Sequence, residues 1–340
     1  MQELRIGLIG CGFISEDHVR AYQKSPSRAR VTLCYDVDPA KAAVRAEQAG
    51  GGARVASTLE ELINSPDIDA VDICTPPHLH ADAAVAAAKA GKHISCQKPL
   101  ACTLADCDRM IAAAKAAGVV LYHAEFNRNL PAGIQARELV KSGRIGRLVG
   151  IQATFAYWQG GKFLSTPWRY DPKISGGGQL LDAGIHSVDL VRSIGGEVHS
   201  VSCMSTRFRE ELGGEDTAVV NIRFQAGHVG SLYSTQACGV WSPTPRFIAY
   251  GMEGVLVMGG QHGALAIHRN DRPDRTEVIQ AARDDWMKPM VDGFVDPVLD
   301  GTPNPSPGEE GRANLLFVLA AYESERRGVE LELAAFRETP

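Results

Sequence analysis

The chain has 340 residues, more than one hydrophobic core usually organises, so two domains are expected. With 44% hydrophobic and 22% charged residues it has the make-up of a soluble globular protein. A net charge of -5 gives no general attraction to phosphate backbones, which argues against nucleic acid as a partner. No apolar run approaches the roughly 20 residues a membrane span needs. The opening MQELRIGLIGCG enters a strand pattern at once, without the charged and apolar regions of a signal peptide, so a cytoplasmic location is expected.

From residue 4 to about 125, short apolar runs alternate with Ala-rich helical stretches. The predicted strands are 4–10, 30–36, 70–75, 93–96 and 119–124, and the helices 15–25, 39–49, 58–64, 80–90 and 103–117. Their continuous hydrophobicity points to burial on both faces, hence a parallel sheet in a doubly wound α/β domain. After residue 145 longer strands appear at 148–158, 198–208, 217–224, 228–236, 246–252, 255–259, 264–269 and 276–281. Short Gly-containing links at 225–227 and 253–254 favour antiparallel neighbours. An α+β domain with a large, mostly antiparallel open sheet is expected, with a helix between 178 and 194 and a final helix over 309–327. Eight cysteines occur without any C-x-x-C pair, so neither a metal site nor a disulfide framework is expected.

The first strand runs into Gly10-Cys11-Gly12-Phe13-Ile14-Ser15 and then a helix. Gly10 permits the tight turn, Gly12 lets the backbone approach a pyrophosphate, and the helix N-terminus supplies free N–H donors. Ser15 stands where Gly or Ala is usual; it is small enough for helix–strand packing, and its hydroxyl could reach a phosphate oxygen. The second strand ends at Asp36, 24 residues beyond Gly12, where an acid would bind the ribose 2′-hydroxyl and repel a 2′-phosphate. That favours NAD over NADP; the rival reading of Asp36 is a turn residue, a role that suits Asp38 better because Pro39 follows it. Thr75-Pro76-Pro77-His78 and Gln97-Lys98-Pro99 end later strands at the same sheet edge, where dinucleotide ligands bind. Spacing alone leaves Lys98 either in the cleft or as a solvated surface charge.

In Gly176-Gly177-Gly178-Gln179-Leu180-Leu181-Asp182-Ala183-Gly184-Ile185-His186, Asp182 and His186 are four apart and share a helical face, which Asp189 continues. A histidine beside acids makes a proton-transfer unit; the alternative is a hydrated helix face with His186 packed. The glycines leave the backbone bare, as close approach to a ligand requires. Aromatics interleaved with polar groups at Phe155, Tyr157, Trp158, Trp168 and Arg169 suit a polyol, although a half-buried sheet edge would look similar.

TPPHLHA, QKPLA and GGGQLLDAGIH, in this order, resemble the glucose–fructose oxidoreductase/inositol dehydrogenase (Gfo/Idh/MocA) family over nearly the whole chain. The resemblance implies an NAD-binding Rossmann domain over 1–125, a substrate-binding and oligomerisation domain over 126–305, and a C-terminal helix over 306–340 packing back on the first. It places the family's catalytic lysine on Lys98 and its helix Asp and His on Asp182 and His186, around the reacting carbinol beside the nicotinamide. It puts Asn127 and Arg128 among substrate-binding residues, to which the aromatic and polar pattern adds Tyr157, Trp168 and Arg169. The implied cofactor set is Gly10, Gly12, Phe13, Ile14, Asp36, Thr75, Pro76, His78, Gln97 and Lys98, with no metal. One departure is that Gln97 replaces the usual Glu. The implied activity is NAD-dependent oxidation of a secondary alcohol on a sugar, sugar derivative or cyclitol. The rivals are an NAD-dependent glycosidase working by oxidation and elimination, a non-catalytic NAD- or sugar-sensing protein, and a methyltransferase, which would leave Lys98 unused. The open sheet needs a cover, so a homodimer or homotetramer is expected.

Overall fold

The computed structural model describes residues 3–25, 28–158, 160, 166–239, 244–259, 264–280 and 286–338. Two units divide it, one of residues 1–126 with 284–312 and the other of 127–283 with 313–340.

The first unit alternates strand and helix: β1 (Leu4–Ile9), α1 (Phe13–Gln23), β2 (Ala29–Tyr35), α2 (Pro39–Ala49), β3 (Arg54–Val55), α3 (Leu59–Asn64), β4 (Ala70–Ile73), α4 (His80–Lys89), β5 (His93–Gln97), α5 (Leu104–Ala117) and β6 (Leu121–Ala124). All six strands are parallel in the order β3-β2-β1-β4-β5-β6, the doubly wound arrangement whose ligand crevice lies outside the strand C-termini. β4 and β6 are buried along their whole length, as their unbroken apolar runs require. Local chemistry sets the helix starts. Asp38, Thr58 and Thr103 accept hydrogen bonds from backbone N–H groups two or three residues on, and Pro39 sits at the first helical position of α2. Asp38 therefore takes the capping role and leaves Asp36 to other partners.

The second unit opens with α6 (Pro131–Lys141), β7 (Leu148–Ala156) and the short α7 (Pro172–Ser175). A single π-helical turn, Leu180–Gly184, then runs into α8 (Ile185–Gly195). The strands β8 (Val198–Thr206), β9 (Thr217–Phe224), β10 (Val229–Thr235), β11 (Phe247–Gly251), β12 (Gly254–Met258), β13 (Leu265–Arg269) and β14 (Arg272–Ile279) follow. The chain ends with α9 (Lys288–Asp300), α10 (Gly308–Arg327) and β15 (Leu331–Glu332). The second sheet has nine strands in the order β14-β13-β12-β11-β7-β10-β9-β8-β15, antiparallel except for the β7–β10 pair. β9 alternates buried and exposed residues along its length, so one face of this sheet is core and the other open.

The segment after residue 285 returns to the first unit. Asn304 donates to the Leu121 carbonyl (3.0 Å), Ser306 and His123 exchange two hydrogen bonds of 2.7 Å, and Phe294 packs on Tyr122. This covers the exposed edge of β6. From Ala313 onward α10 belongs to the second unit, where Tyr322, Ser324 and Glu325 bond to Glu215, Cys203 and Ser205. α6 and α9 escape the sequence reading; α9 carries Pro289 and Pro297, which mask its Met290, Val291, Phe294, Val295 stripe. No helix of the described residues is long and apolar enough to cross a membrane.

Candidate active site

The phosphate loop lies at the C-terminal edge of the first sheet. Gly10 has φ +89°, and a Cβ there would lie 2.8 Å from the Cys74 and Thr75 backbone, so this glycine is required by the fold itself. Gly12 differs: φ is -75° and a Cβ would meet nothing within 4 Å. It is the N-cap of α1 and, being glycine, supplies no side-chain cap to compete with an anion at the helix start. Phe13 is exposed and Ile14 half-buried at this helix start. Ser15 does not face a ligand; it is fully buried, donates to the Gly12 carbonyl (2.6 Å) and accepts from Arg45 (2.9 Å). The hydroxyl thus braces the loop from behind, a correction to its reading as a phosphate donor.

Asp36 accepts from the Cys11 N–H (2.7 Å) with one oxygen and from the Asp38 N–H (2.9 Å) with the other. It anchors the phosphate loop to the end of β2, and its remaining lone pairs can still accept from ribose hydroxyls. The Thr75 hydroxyl, at the end of β4, is buried and has no hydrogen-bond partner among the described residues. An open helix N-terminus, a bare Gly12 and an orphaned Thr75 hydroxyl along one edge suit a bound dinucleotide. Pro76 is half-buried there. His78 is exposed, whereas His80 is fully buried with its ring between the carbonyls of Thr75 (2.9 Å), Pro99 (3.0 Å) and Leu100 (3.3 Å). The second histidine of the TPPHLH run therefore ties the β4 end to the loop after β5, and burial pushes its pKa down. Lys98 is half-buried beside that tie, preceded by the buried Gln97 and followed by a cis peptide bond to Pro99.

In the second unit, the π turn carries Asp182 and His186 is the second residue of α8. Arg169 donates to Asp182 (3.0 Å) while its guanidinium lies over the Trp168 ring at 4.2 Å. Phe155, 6.2 Å from the His186 ring, packs edge-on against Tyr157. Burial, with the Asp182 charge, pushes the Tyr157 hydroxyl up, so it stays a neutral donor and acceptor. Arg246 lies over Phe155, 5.1 Å from its centroid. Tyr157, Trp168, Arg169, Asp182 and His186 are therefore linked through neighbouring pairs.

Asp189, Asn127 and Arg128 brace α8. Asp189 is fully buried and takes a bidentate ion pair from Arg128 (2.6 Å) and a hydrogen bond from Asn314 (2.7 Å). Asn127 donates to the His186 carbonyl (2.9 Å). These side chains hold α8 in place, so Asp189 is no part of a proton-transfer face. Two of the three glycines also have a packing reason. A Cβ on Gly178 would overlap Glu215 at 2.1 Å, and one on Gly177 would press on Tyr322 at 2.7 Å. Glu215 in turn accepts from the Leu180 N–H (2.8 Å) and the Tyr322 hydroxyl (2.9 Å), capping the site helix from a loop 35 residues away. Sequence reasoning missed Glu215, and only its distance along the chain hid it.

All eight cysteines are free. Burial drives Cys74 and Cys96 well up and Cys102 to about 11, so these are protonated thiols acting as small hydrophobes.

Residues 4–125 match the oxidoreductase family with an NAD-binding Rossmann fold, and residues 134–257 match the GFO/IDH/MocA C-terminal domain. The chain belongs to the GFO/IDH/MocA family. It is an oxidoreductase with a nicotinamide dinucleotide as cofactor. It is 30% identical to the myo-inositol 2-dehydrogenase of Thermotoga maritima, over 97% of this chain and 99% of that one. It is 33% identical to the levoglucosan dehydrogenase of Pseudarthrobacter phenanthrenivorans, over 76% of this chain and 74% of the relative. A solved levoglucosan dehydrogenase in complex with NADH and L-sorbose superposes with a TM-score of 0.88 at 28% identity, covering 98% of this chain and 99% of that one.

Proposed function

We propose that this enzyme oxidises a secondary alcohol of a sugar, sugar derivative or cyclitol reversibly, with NAD as the acceptor. The observation that carries the substrate class is a cluster in the second unit: the buried His186 ring lies 6.2 Å from Phe155, which packs on Tyr157, and an Arg169–Asp182 pair sits with Trp168. Aromatic faces match the apolar face of a sugar ring, while the fixed charges and the Tyr157 hydroxyl match its hydroxyl groups. The relatives' names point the same way, since they act on levoglucosan, myo-inositol, 1,5-anhydro-D-fructose and D-apiose.

Gly12, the α1 N-terminus and Thr75 would hold the pyrophosphate side of the cofactor, and Asp36 its adenosine ribose. A bound nicotinamide would supply the hydride acceptor for the carbinol carbon, or the hydride donor in the reverse direction. His186 accepts the hydroxyl proton, and Lys98 supplies an ammonium group to polarise the same oxygen. Asp182, held by the hydrogen bond from Arg169, orients Lys98 or a neighbouring hydroxyl. The Asp36 carboxylate disfavours a 2′-phosphate, hence NAD over NADP.

The test is a panel of sugars and cyclitols assayed with NAD and with NADP by nicotinamide absorbance. NAD-dependent turnover of at least one is expected. His186→Ala and Lys98→Ala should each lose about 100-fold or more in kcat, the usual worth of an acid–base group, while still binding NADH. Near-normal turnover in either variant would refute its role. Glycoside cleavage without net change in nicotinamide absorbance would replace this reading with the oxidation–elimination route.

We further propose that the open face of the nine-stranded sheet is covered by a second copy of the chain, giving a homodimer or homotetramer.

A further inference from the structure

Behind the sheet edge of the first unit runs a chain of buried polar groups that the reaction does not use. His18 of α1 and Asp72 of β4 are fully buried, and Tyr22 and Gln97 are nearly so. Asp72 Oδ2 lies 2.7 Å from His18 Nδ1 and accepts from the Tyr22 hydroxyl (3.1 Å). His18 Nε2 lies 2.6 Å from the Gln97 amide nitrogen, and Gln97 Oε1 accepts from the Lys98 N–H (3.2 Å). Each link constrains the next. A backbone N–H can only donate, so Gln97 must present its oxygen to Lys98 and its NH2 to His18. An amide NH2 can only donate, so His18 Nε2 must accept and carries no proton. His18 Nδ1 then holds the ring's one proton and gives it to Asp72.

We propose that Asp72, His18 and Gln97 form a hydrogen-bond chain of fixed direction that positions the Lys98 segment, and that the carboxylate at 72 is what requires a neutral amide at 97. Burial and the Asp72 charge push the Tyr22 hydroxyl and the Cys74 and Cys96 thiols well up, so these neighbours add no charge of their own. A glutamate at 97 would put a second carboxylate on the same buried imidazole. The ring would have to become an imidazolium or one acid would have to take a proton, and in either case the tie to Lys98 changes. When asparagine at 72 accompanies glutamate at 97, the polarity can reverse. The new amide NH2 then donates to His18 Nδ1, and the His18 Nε2–H donates to the new carboxylate. Asp72 and Gln97 are thus positioning residues coupled through His18.

Two measurements test this, and only the second rests on the assignment of Lys98 to the reaction. In protein labelled with 15N-histidine, the resonances lost in His18→Gln should show the Nδ1-protonated neutral ring. In the double variant, Asp72→Asn with Gln97→Glu, they should show the Nε2-protonated ring. An imidazolium or an Nε2-protonated ring in the parent protein overturns the proposal, whatever Lys98 does. In kinetics, Gln97→Glu and Asp72→Asn should each lower kcat/KM about tenfold, and the double variant should lose no more than about tenfold rather than the product of the two. If a single variant unfolds too readily to assay, thermal unfolding of the three variants reads the same coupling. Additive losses, or a Gln97→Glu enzyme indistinguishable from the parent, overturn it. Loss of turnover in Lys98→Ala is scored separately, so failure of the coupling and failure of the Lys98 assignment remain distinct.

Discussion

Gly10 and Gly12 stand two residues apart in one loop, yet the same substitution should do opposite things to them. An alanine at 10 must hold φ near +89° with its Cβ 2.8 Å from backbone atoms of Cys74 and Thr75. Strain of this kind costs about 1–3 kcal/mol before the clash is counted. Gly10→Ala should therefore lower the melting temperature of the cofactor-free protein. An alanine at 12 meets nothing, so the melting temperature should hold, but its methyl group intrudes where the pyrophosphate must approach. Gly12→Ala should weaken NADH binding about tenfold or more in a fluorescence titration. A destabilised Gly12→Ala with normal NADH affinity would reverse the assignment. At this scale the sequence is legible wherever a residue's neighbours in the chain decide its role, as at Asp38 with Pro39. It is illegible where the partner comes from afar: Ser15 with Arg45, Arg128 with Asp189 and Gly178 with Glu215 all depend on packing that no local pattern encodes.

The start of the site helix illustrates the same division for whole elements. A helix over 178–194 follows from its apolar stripe, but the π turn at Leu180–Gly184 does not, and neither does the residue that caps it. That cap is Glu215, half-buried between the Leu180 N–H and the Tyr322 hydroxyl, with the like charge of Glu325 nearby. Burial, the larger cause, pushes its carboxyl from 4.5 up to about 7. The folded protein therefore holds a proton that the unfolded chain has released between these two values. Its stabilising contribution is complete below pH 4.5 and is lost as pH rises through about 7, a swing of about 3 kcal/mol if the unfolded value is the ordinary one. Melting temperature should fall across that window, and Glu215→Gln, which keeps an acceptor for both donors without a charge, should flatten the fall. At alkaline pH the variant should melt above the parent. A parallel pH profile in both proteins would remove Glu215 from this role.

At the scale of the whole molecule, alternating strand and helix in the first third dictated the parallel sheet, and the Gly-containing links dictated the antiparallel hairpins β9–β10 and β11–β12. The parallel β7–β10 contact lay beyond reach, since nothing local records which distant strand fills a gap between hairpins. The finished sheet turns Phe224, Leu232, Phe247 and Leu256 inward and leaves a contiguous outer face. Across it, register aligns Met204, Val219 and Tyr233 in one row, and Ile248, Val257, Ala266 and Val278 in another. Tyr250 and Val255 form a third pairing beside them. Exposed apolar rows of this extent on an antiparallel sheet are what a self-complementary twofold contact buries. Val257 lies in the middle of this face and is half-exposed in the single chain, so an acid there should be tolerated by the fold yet leave a buried, unpaired charge in any interface. Sedimentation or light scattering should therefore find the parent protein as a dimer or tetramer, and Val257→Asp as a smaller species with little change in the far-ultraviolet circular dichroism. A parent protein that is already monomeric at assay concentrations would leave the face to be explained in another way. A Val257→Asp protein that keeps the parent's mass would move the interface off this sheet.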